Sequence, residues 1–437
     1  MTQFTPYWWQ DQPQYRNTEA PPAKADCVVV GAGFTGLSAA LTLAQAGRRV
    51  LVLDSQAIGF GASTRNGGML GSGHKVSVAD AEKIYGPNIA AQLHREANAS
   101  LAFTKSLITD HKIDCDLQAC GRLRTAWTPQ DFTAMQSANA SLQHIQPFAA
   151  QMVKPEAMAE HIDTKLYFGG LLYENHASVH PKKFHHGLLQ LALDAGVEVF
   201  GDQAVDSVEP HAGGFYINTK SQKIQCQQVL MATNGYTQPR VSRFLARRVI
   251  PVPSFIIVTE ELGKDRVKAL LPGGHCMVET RQRFCYYRAT PCGKRIMLGS
   301  RAALHAITPQ ASLVTLKAKL TEIFPSLKGI EISHCWTGFT GFSFSKLPHI
   351  GCHNGIHHAL GYCGNGVAMA PYLGHKAALK MLHPKQQHSV FEQTPLQSRI
   401  YHHTHAWYMP AASAWYRTKD WWDNRQRKQA LRQQKIP

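Results

Sequence analysis

Residues 26–54 read DCVVVGAGFTGLSAALTLAQAGRRVLVLD, and this stretch decides the fold. Its apolar opening, Cys27 to Val30, has the make-up of a strand buried on both faces of a parallel sheet. Gly31, Gly33 and Gly36 follow in GxGxxG spacing where that strand turns into a helix. Gly31 permits the tight turn, Gly33 lets the backbone approach a pyrophosphate, and Gly36 lets helix and strand pack closely. Leu37, Ala40, Leu41 and Ala44 mark the core face of the helix, and Gly47 closes it. A second strand, Val50 to Leu53, ends at Asp54, 18 residues beyond Gly36, where a carboxylate can accept from both hydroxyls of a ribose. A bare GxGxxG is a weak signal; strand, helix and acid in register make a dinucleotide site. The unit alone leaves FAD and NAD open.

The 437 residues are many for one core, so two domains sharing an interface are expected. With 44% hydrophobic and 17% charged residues the composition is that of a folded chain rather than a disordered one. No apolar run approaches a membrane span. The opening MTQFTPYWWQDQPQY lacks the basic and apolar regions of a secretory signal. Ten cysteines are scattered without a CxxC pair, several in apolar runs, which suits reduced thiols in the cytoplasm. The 23 histidines gather at His185-His186, His357-His358 and His402-His403-Thr404-His405, without Cys or carboxylate partners at ligand spacing, so no metal is expected. The formal charge of +17 would attract acidic substrates, anionic lipid or nucleic acid. Part of it sits in the tail, with seven Lys/Arg against two Asp from Arg417 onward.

Nucleotide-type elements recur along the chain. Residues 1–23 form a polar, aromatic entry arm, and AIGFGASTRNGGML after the βαβ unit is too Gly-rich for a helix and suits backbone contact with a ligand. Residues 80–160 read mostly helical. FGGLLYENHASVHPKKFHHGLLQLALDAGVEVF predicts a strand or hairpin, a helix ended by Gly196 and a strand from Val197 to Phe200. Between 249 and 301, VIPVPSFIIVTE, RFCYYRA and RIMLGSR predict a separate antiparallel sheet. SLVTLKAKLTEIF reads as a helix, and HHALGYCGNGVAMAPYLGHKAALKML as strand, glycine turn and helix with Pro371 in its first turn. The fold class is therefore α/β. A discontinuous Rossmann-like domain (24–95, 170–248 and 334–385) is interrupted by an α+β substrate domain on an antiparallel sheet (96–169 and 249–333), and 386–437 form an aromatic, basic extension.

Four separated segments, in order, carry a family likeness: GAGFTGLSAALTLAQAG, GFGASTRNGG, VLMATNGY, and WTGFTGFSFSKLPHIG leading into GYCGNGVAMAPYLG. Through roughly residues 5–385 the chain resembles the D-amino-acid oxidase (glycine oxidase, sarcosine oxidase) family of flavoenzymes, most of all its gamma-glutamylputrescine oxidase-like branch and then L-pipecolate oxidases. The resemblance implies FAD rather than NAD, in a domain of the glutathione-reductase/p-hydroxybenzoate-hydroxylase type. It also implies roles. Gly31, Ala32, Gly33, Phe34, Thr35, Gly36, Asp54 and Ser55 would hold the ADP half, with the pyrophosphate on the helix N-terminus. Gly61, Ala62, Ser63, Arg65, Asn66, Gly67 and Gly68 would run along the flavin, Arg65 neutralising pyrophosphate or supporting the ring edge. Val205 would meet adenine, and Ala232, Thr233 and Asn234 the ribose side. Gly364, Asn365, Gly366 and Val367 would aim a helix N-terminus at the flavin N1–C2=O locus.

The implied reaction oxidises a C–H bond beside an amine nitrogen, hydride passing to flavin N5 and the imine then hydrolysing. The expected substrate is gamma-glutamylputrescine-like or an N-substituted amino acid. Sarcosine oxidases attach FAD through a cysteine where Gly338 stands here, with Cys335 three residues away, so FAD is expected to be non-covalent. Met297 stands where those oxidases place an oxygen-activating lysine, and Lys294 lies in the preceding turn, which leaves O2 and a quinone open as acceptor. Substrate-selecting candidates are Arg281, Arg283, Tyr286, Tyr287, Arg288 and Arg301 on the sheet, with His74, Trp336 and Phe342 added by position. Alternation places Arg281, Arg283, Cys285 and Tyr287 on one face and Tyr286 and Arg288 on the other, so both sets cannot line the pocket. Two other functions are weighed. A tRNA wobble-uridine side-chain oxidase would use the positive charge, but no second GxGxxG-like unit supplies its methyltransferase, and nucleic acid is not expected. A membrane-surface dehydrogenase feeding quinone could rest on the tail WYMPAASAWYRTKDWWDNRQRKQALRQQKIP, although a docking helix for a dimer or the substrate domain is the simpler account.

Overall fold

A computed structural model describes residues 1–433 apart from 11, 13 and 18, with side chains as far as 427; the end of the basic tail lies outside the described residues. Strand Lys24–Val30 is the middle of the first sheet. It pairs in parallel with Val50–Leu53 on one side and Lys223–Met231 on the other. Glu198–Phe200 and Ile356–Leu360 extend the parallel set, and His349–His353 closes that edge antiparallel. The hairpin Val205–His211 and Gly214–Thr219 leans on Lys223–Met231. The continuous Val/Leu runs are explained by burial on both faces. Val29 and Val52 face one core, with helix Phe34–Gln45, and Val28 and Leu51 the other.

Helix Gly366–Leu382 lies against helix Phe34–Gln45. A methyl on Gly374 would run into the carbonyl of Thr35, so glycine sets this approach. Pro371 is not in the first turn as expected but sits inside the helix. Its missing N–H leaves one backbone bond unmade, and its own carbonyl accepts the Ser38 hydroxyl at 2.7 Å. Helix Pro87–Asp110 brings Leu93, Ala97, Leu101 and Ile108 to the same core and donates Thr104 Oγ1 to the Ala368 carbonyl at 2.9 Å. Because that helix is continuous, residues 96–110 pack with the nucleotide elements.

The second sheet has eight strands, in the order Ile332–Ser343, Val249–Thr259, Ile296–Ser300, Cys285–Ala289, Cys276–Glu279, Arg122–Thr125, Gly170–Tyr173 and Ala150–Val153. It is antiparallel except where Cys276–Glu279 meets Arg122–Thr125. Three of its strands come from a region that reads as helix or as nucleotide domain, and so does the long strand Ile332–Ser343. Arg122–Thr125 hides there because Thr128 and Asp131 form a capping box, with Pro129 in the first turn, that starts a true helix, Pro129–Ile145, directly after it. Such a cap contributes about 1 kcal/mol.

Alternation along this sheet is sharp. Leu123, Ile257, Met277, Cys285, Tyr287 and Leu298 enter one core with helix Pro309–Ile323. On the other face Ile256, Val258 and Met297 pack against Trp8 of the entry arm, and Tyr286 and Arg288 reach Gly67 and Gly68. The C-terminal helix Met409–Gln433 docks on the second unit: Asp420 accepts from Gln282 N at 3.0 Å and Arg283 Nε at 3.1 Å, and Asn424 Oδ1 accepts from Trp127 Nε1 at 2.9 Å. Trp415, Trp421 and Trp422 remain exposed along it. Among the described residues, no helix is long and apolar enough to cross a membrane.

Candidate active site

The turn after the first strand is shaped by contacts that only glycine permits. Gly31 has φ +110°, and a Cβ on Gly36 would collide with the Gly31 carbonyl. The helix starting at Phe34 has no side-chain cap from Gly33. Phe34 N–H donates to Ser63 Oγ at 2.9 Å, which ties this turn to the second glycine-rich segment. Asp54 Oδ2 accepts from Ala32 N at 2.9 Å and Oδ1 from Gln56 N at 3.2 Å. Burial raises the Asp54 carboxyl while those N–H groups pull it down. Beneath the turn, the buried His185 ring sits 2.7 Å from the Ala32 carbonyl through Nε2.

One continuous cleft collects most of the expected cofactor residues. Gly31, Ala32, Gly33, Phe34, Thr35, Asp54, Ser55, Gly61, Ala62, Ser63, Asn66, Val205, Ala232, Thr233, Asn234, Gly364, Gly366 and Val367 all line it. Gly36, Arg65, Gly67, Gly68 and Asn365 do not. Arg65 is half-buried beside the cleft and is held by backbone carbonyls. Its Nε donates to the Phe60 carbonyl at 2.6 Å and its Nη1 to Thr337 at 3.0 Å, while its guanidinium lies over the Trp9 and Phe60 rings. A Cβ on Gly67 would come within 2.9 Å of the Tyr286 ring. One on Gly68 would meet the Val179 carbonyl and Arg288.

The far end of the cleft is the turn before helix Gly366–Leu382, which also starts without a side-chain cap. Asn365 Nδ2 instead donates to the Gly73 carbonyl at 2.7 Å. Thr35 and Tyr362 share a hydroxyl hydrogen bond of 2.6 Å, so the two uncapped helix N-termini are held on one frame.

On the sheet side, the two alternation sets separate cleanly. Tyr287 lies in the second core, its hydroxyl 2.8 Å from that of Tyr167. Arg281 is buried against Glu279 and Glu322, and Arg283 pairs with Asp420 of the C-terminal helix. Arg283 and Tyr287 are therefore structural, contrary to expectation. Trp336 is also core: it packs with Trp8 and Met297 and donates Nε1 to the Arg65 carbonyl at 2.9 Å. Tyr286 and Arg288 face the nucleotide domain. Tyr286 shares a 2.9 Å hydrogen bond with Ser254, and burial pushes its hydroxyl up to about 12. Arg288 is spent on the Val179 carbonyl at 2.9 Å. Arg301 lies over the rings of Phe284 and Phe342. His74 turns its ring to His94, centroids 4.4 Å apart, and burial lowers it to about 3.

The residue beside it turns to the second sheet. Lys75 Nζ lies 5.2 Å from the Phe284 ring centre. Lys75 is exposed, with Arg301, Arg124 and Arg122 close enough to act on its charge. Burial first, then Arg301, Arg124 and Arg122, lower it to about 7. Lys294 by contrast is at the surface near Glu261, and Met297 is core.

Residues 26–379 match the family model described as FAD dependent oxidoreductase. The chain belongs to this family. It is 29% identical over 371 residues to gamma-glutamylputrescine oxidoreductase of Escherichia coli K12, covering 85% of this chain and 86% of that protein. It is 30% identical over 357 residues to the probable oxidoreductase OrdL of Rhizobium meliloti, covering 80% and 81%. Among solved structures it superposes on glycine oxidase from Geobacillus kaustophilus with a TM-score of 0.71 at 18% identity, covering 87% of this chain and 100% of that one. L-proline dehydrogenase from P. horikoshii gives 0.68 at 17%, covering 85% and 96%. FAD is thus the cofactor of this oxidoreductase, and its fold is that of these flavoenzymes.

The cleft suits the group. Two helices begin on its wall and turn their positive dipole ends to it, one at each end, and Asp54 stands at a strand end in the same lining. Sequence reading missed Phe60, Gln203, Tyr236, Thr340 and Tyr362 in the lining, and Lys75, Arg122 and Arg124 on the sheet side. Nothing periodic marks the first five. The alternation RLRT at 122–125 was the available signal for the two arginines.

Proposed function

We propose that this flavoenzyme oxidises the C–H bond beside the nitrogen of an N-substituted amino acid, with FAD held non-covalently. The observation that carries this reading is a junction. The cleft ends at the turn Gly364–Val367, and Phe342, which bridges to Tyr362 beside that turn, also stacks under Arg301 on the substrate side. Bound FAD would accept a hydride with its two electrons, leaving an imine that water hydrolyses to a carbonyl compound and an amine.

The chain's own residues bind and orient. Gly33, Phe34 and Thr35 would hold the pyrophosphate, Asp54 the ribose, Val205 the adenine, and Gly366 and Val367 the flavin end. On the substrate side, Arg301 offers a fork of donors to a carboxylate, and Phe284 and Phe342 exclude water around it. Tyr286, protonated throughout the physiological range, keeps a hydroxyl donor at Ser254 rather than a charge. The cations Lys75 and Arg301 disfavour an ammonium nearby, so a bound amine loses its proton more readily there, which the chemistry requires. The same repulsion favours an N-substituted amino acid over a gamma-glutamylputrescine-like amine. Cys335 faces the second core with Sγ 3.3 Å from the Pro309 carbonyl, which supports non-covalent FAD.

Either O2 or a quinone would reoxidise the flavin. The exposed Trp415, Trp421 and Trp422, with Arg417 and Lys419 beside them, suit contact with an anionic bilayer that supplies quinone. Sedimentation with anionic liposomes tests this: binding that survives truncation after Pro410 would rule it out. For the reaction itself, N-alkyl amino acids, gamma-glutamylputrescine, pipecolate and D-amino acids are added without oxygen to the yellow protein. Bleaching by an N-alkyl amino acid is expected; no bleaching by any of them would overturn the proposal.

A further inference from the structure

Three indole N–H groups converge on three consecutive residues of the second glycine-rich segment. Trp9 Nε1 donates to Thr64 Oγ1 at 2.8 Å, Trp336 Nε1 to the Arg65 carbonyl at 2.9 Å and Trp8 Nε1 to the Asn66 carbonyl at 2.7 Å. Trp8 and Trp9 belong to the entry arm, which is seated on strand Ile332–Ser343, an edge of the second sheet. There the Gln3 N–H donates to the Ser333 carbonyl at 2.8 Å, and the Gln3 carbonyl accepts from Cys335 N at 2.9 Å. The same edge strand carries Trp336. Trp8 and Trp336 are both buried, packed together with Ile256, Val258 and Met297.

Two of these bonds decide which way the backbone faces. In a planar trans peptide the N–H points opposite to the C=O, and no cis bond occurs among the described residues. Trp336 on the Arg65 carbonyl therefore turns the Asn66 N–H away from the indole, and Trp8 on the Asn66 carbonyl does the same for the Gly67 N–H. Among the described residues neither N–H has an acceptor. The Asn66 side chain is used locally, Nδ2 on the Ala62 and Ser63 carbonyls at 3.1 and 2.9 Å and Oδ1 on Gly68 N at 2.8 Å. What Asn66 can offer a ligand is its backbone. Asn66 lines the cleft, and two consecutive donors without a protein partner are what an acceptor-rich ligand takes up. The segment also has a direction. Ser63 Oγ meets Phe34 N at the phosphate turn, and Gly67 abuts Tyr286 of the second sheet. Asn66 and Gly67 thus stand at its sheet end, where the reacting ring of a flavin has to lie.

We infer that Trp8 and Trp336 are positioning residues for the cofactor: by holding the Asn66 and Arg65 carbonyls they present the Gly67 and Asn66 N–H groups as two donors to the flavin ring. Trp9 steadies the turn just before, through Thr64, whose hydroxyl donates to the Gly59 carbonyl, and through its ring, 4.6 Å from the Arg65 guanidinium. The inference rests on the reading of the cleft as the FAD site. It goes further by giving the entry arm, which precedes the residues 26–379 that match the family model, a part in holding the flavin. Negative charge grows on the ring when it is reduced, so donors aimed at it favour the reduced form.

The test uses the full-length chain with Trp8→Phe and with Trp336→Phe, each of which keeps an aromatic ring and loses the N–H. Trp127→Phe is the control, since it removes an indole donor to Asn424 in the second unit, away from the cleft. FAD affinity is read by titrating each apoprotein with FAD, the flavin reduction potential by equilibrating the loaded protein with reference dyes, and stability by thermal melting. Trp8→Phe and Trp336→Phe should each weaken FAD about three- to tenfold and move the potential to more negative values. Trp127→Phe should lower the melting temperature and leave affinity and potential as they are. Unchanged affinity and potential in both Trp8→Phe and Trp336→Phe would overturn the inference. So would a lower melting temperature with an unmoved potential, which is the mark of packing alone. Asp54→Ala, elsewhere in the same cleft, keeps the two readings apart. It should weaken FAD whatever the tryptophan variants do; FAD binding untouched by Asp54→Ala would overturn the cleft reading itself.

Discussion

Asn365 Nδ2 donates to the Gly73 carbonyl at 2.7 Å, joining the turn that opens helix Gly366–Leu382 to the loop that carries Lys75. One side chain that caps neither helix nor loop thus ties the end of the cleft to that loop. Asn365→Ala removes that bond, worth about 1 kcal/mol. The expected outcome is a KM raised more than kcat is lowered, with FAD content unchanged, because the Gly73 loop loses its tie while the cleft keeps its lining. Steady-state kinetics beside the flavin-to-protein absorbance ratio would check it.

Gly36→Ala puts a methyl into the Gly31 carbonyl, so the phosphate turn must shift. The variant should fold, since the strand and helix cores are intact, but its affinity for FAD should fall about tenfold or more. Titration of the apoprotein with FAD, with circular dichroism as the folding control, reads both quantities.

Acid precipitation of the holoprotein should leave all yellow colour in the supernatant. Gly338 has no side chain to offer, and Cys335 is turned into the second core. Colour retained in the washed pellet would contradict non-covalent binding.

Lys75 titrates at about 7 because burial and Arg301, Arg124 and Arg122 disfavour its charge. The charged form is the one that binds an anion. Affinity for a simple carboxylate such as butyrate should therefore be highest below pH 7 and decline as pH rises through it, and Lys75→Met should flatten this dependence. Calorimetry from pH 6 to 8.5 would check it.

Glu279 is fully buried against Arg281, with side-chain contacts of 2.6 Å. Burial opposes its charge, and the Arg281 guanidinium overcomes this and holds the carboxyl below its usual range. Its contribution is present above the unfolded carboxyl value of about 4.3 and is lost as pH falls through the lower folded value. Glu279→Gln should destabilise by about 3–5 kcal/mol at pH 7, a difference that shrinks in acid. Chemical denaturation at pH 7 and at pH 3.5 would measure it.

The βαβ unit and the glycine turn at 364–366 were legible because their chemistry is local: each glycine answers to a neighbour a few residues away or to a backbone approach. The sheet at 249–301 was legible as alternation, but which face turns to the first unit was not. That depends on Tyr286 resting against Gly67, a contact across the two units. Arg122–Thr125 was lost between helices because four residues carry little periodic signal. Lys75 had no signal at all. It meets Arg301 at the Phe284 ring, an approach that no spacing in the chain records.

The central claim is that this flavoenzyme oxidises an amine's C–H bond. Single-turnover reduction of the FAD-loaded protein under argon tests it most directly, with the carbonyl product counted against flavin bleached. One carbonyl and one amine per FAD, from an N-substituted amino acid, is the predicted result. Bleaching without a carbonyl product, or no bleaching by any amine, would contradict it.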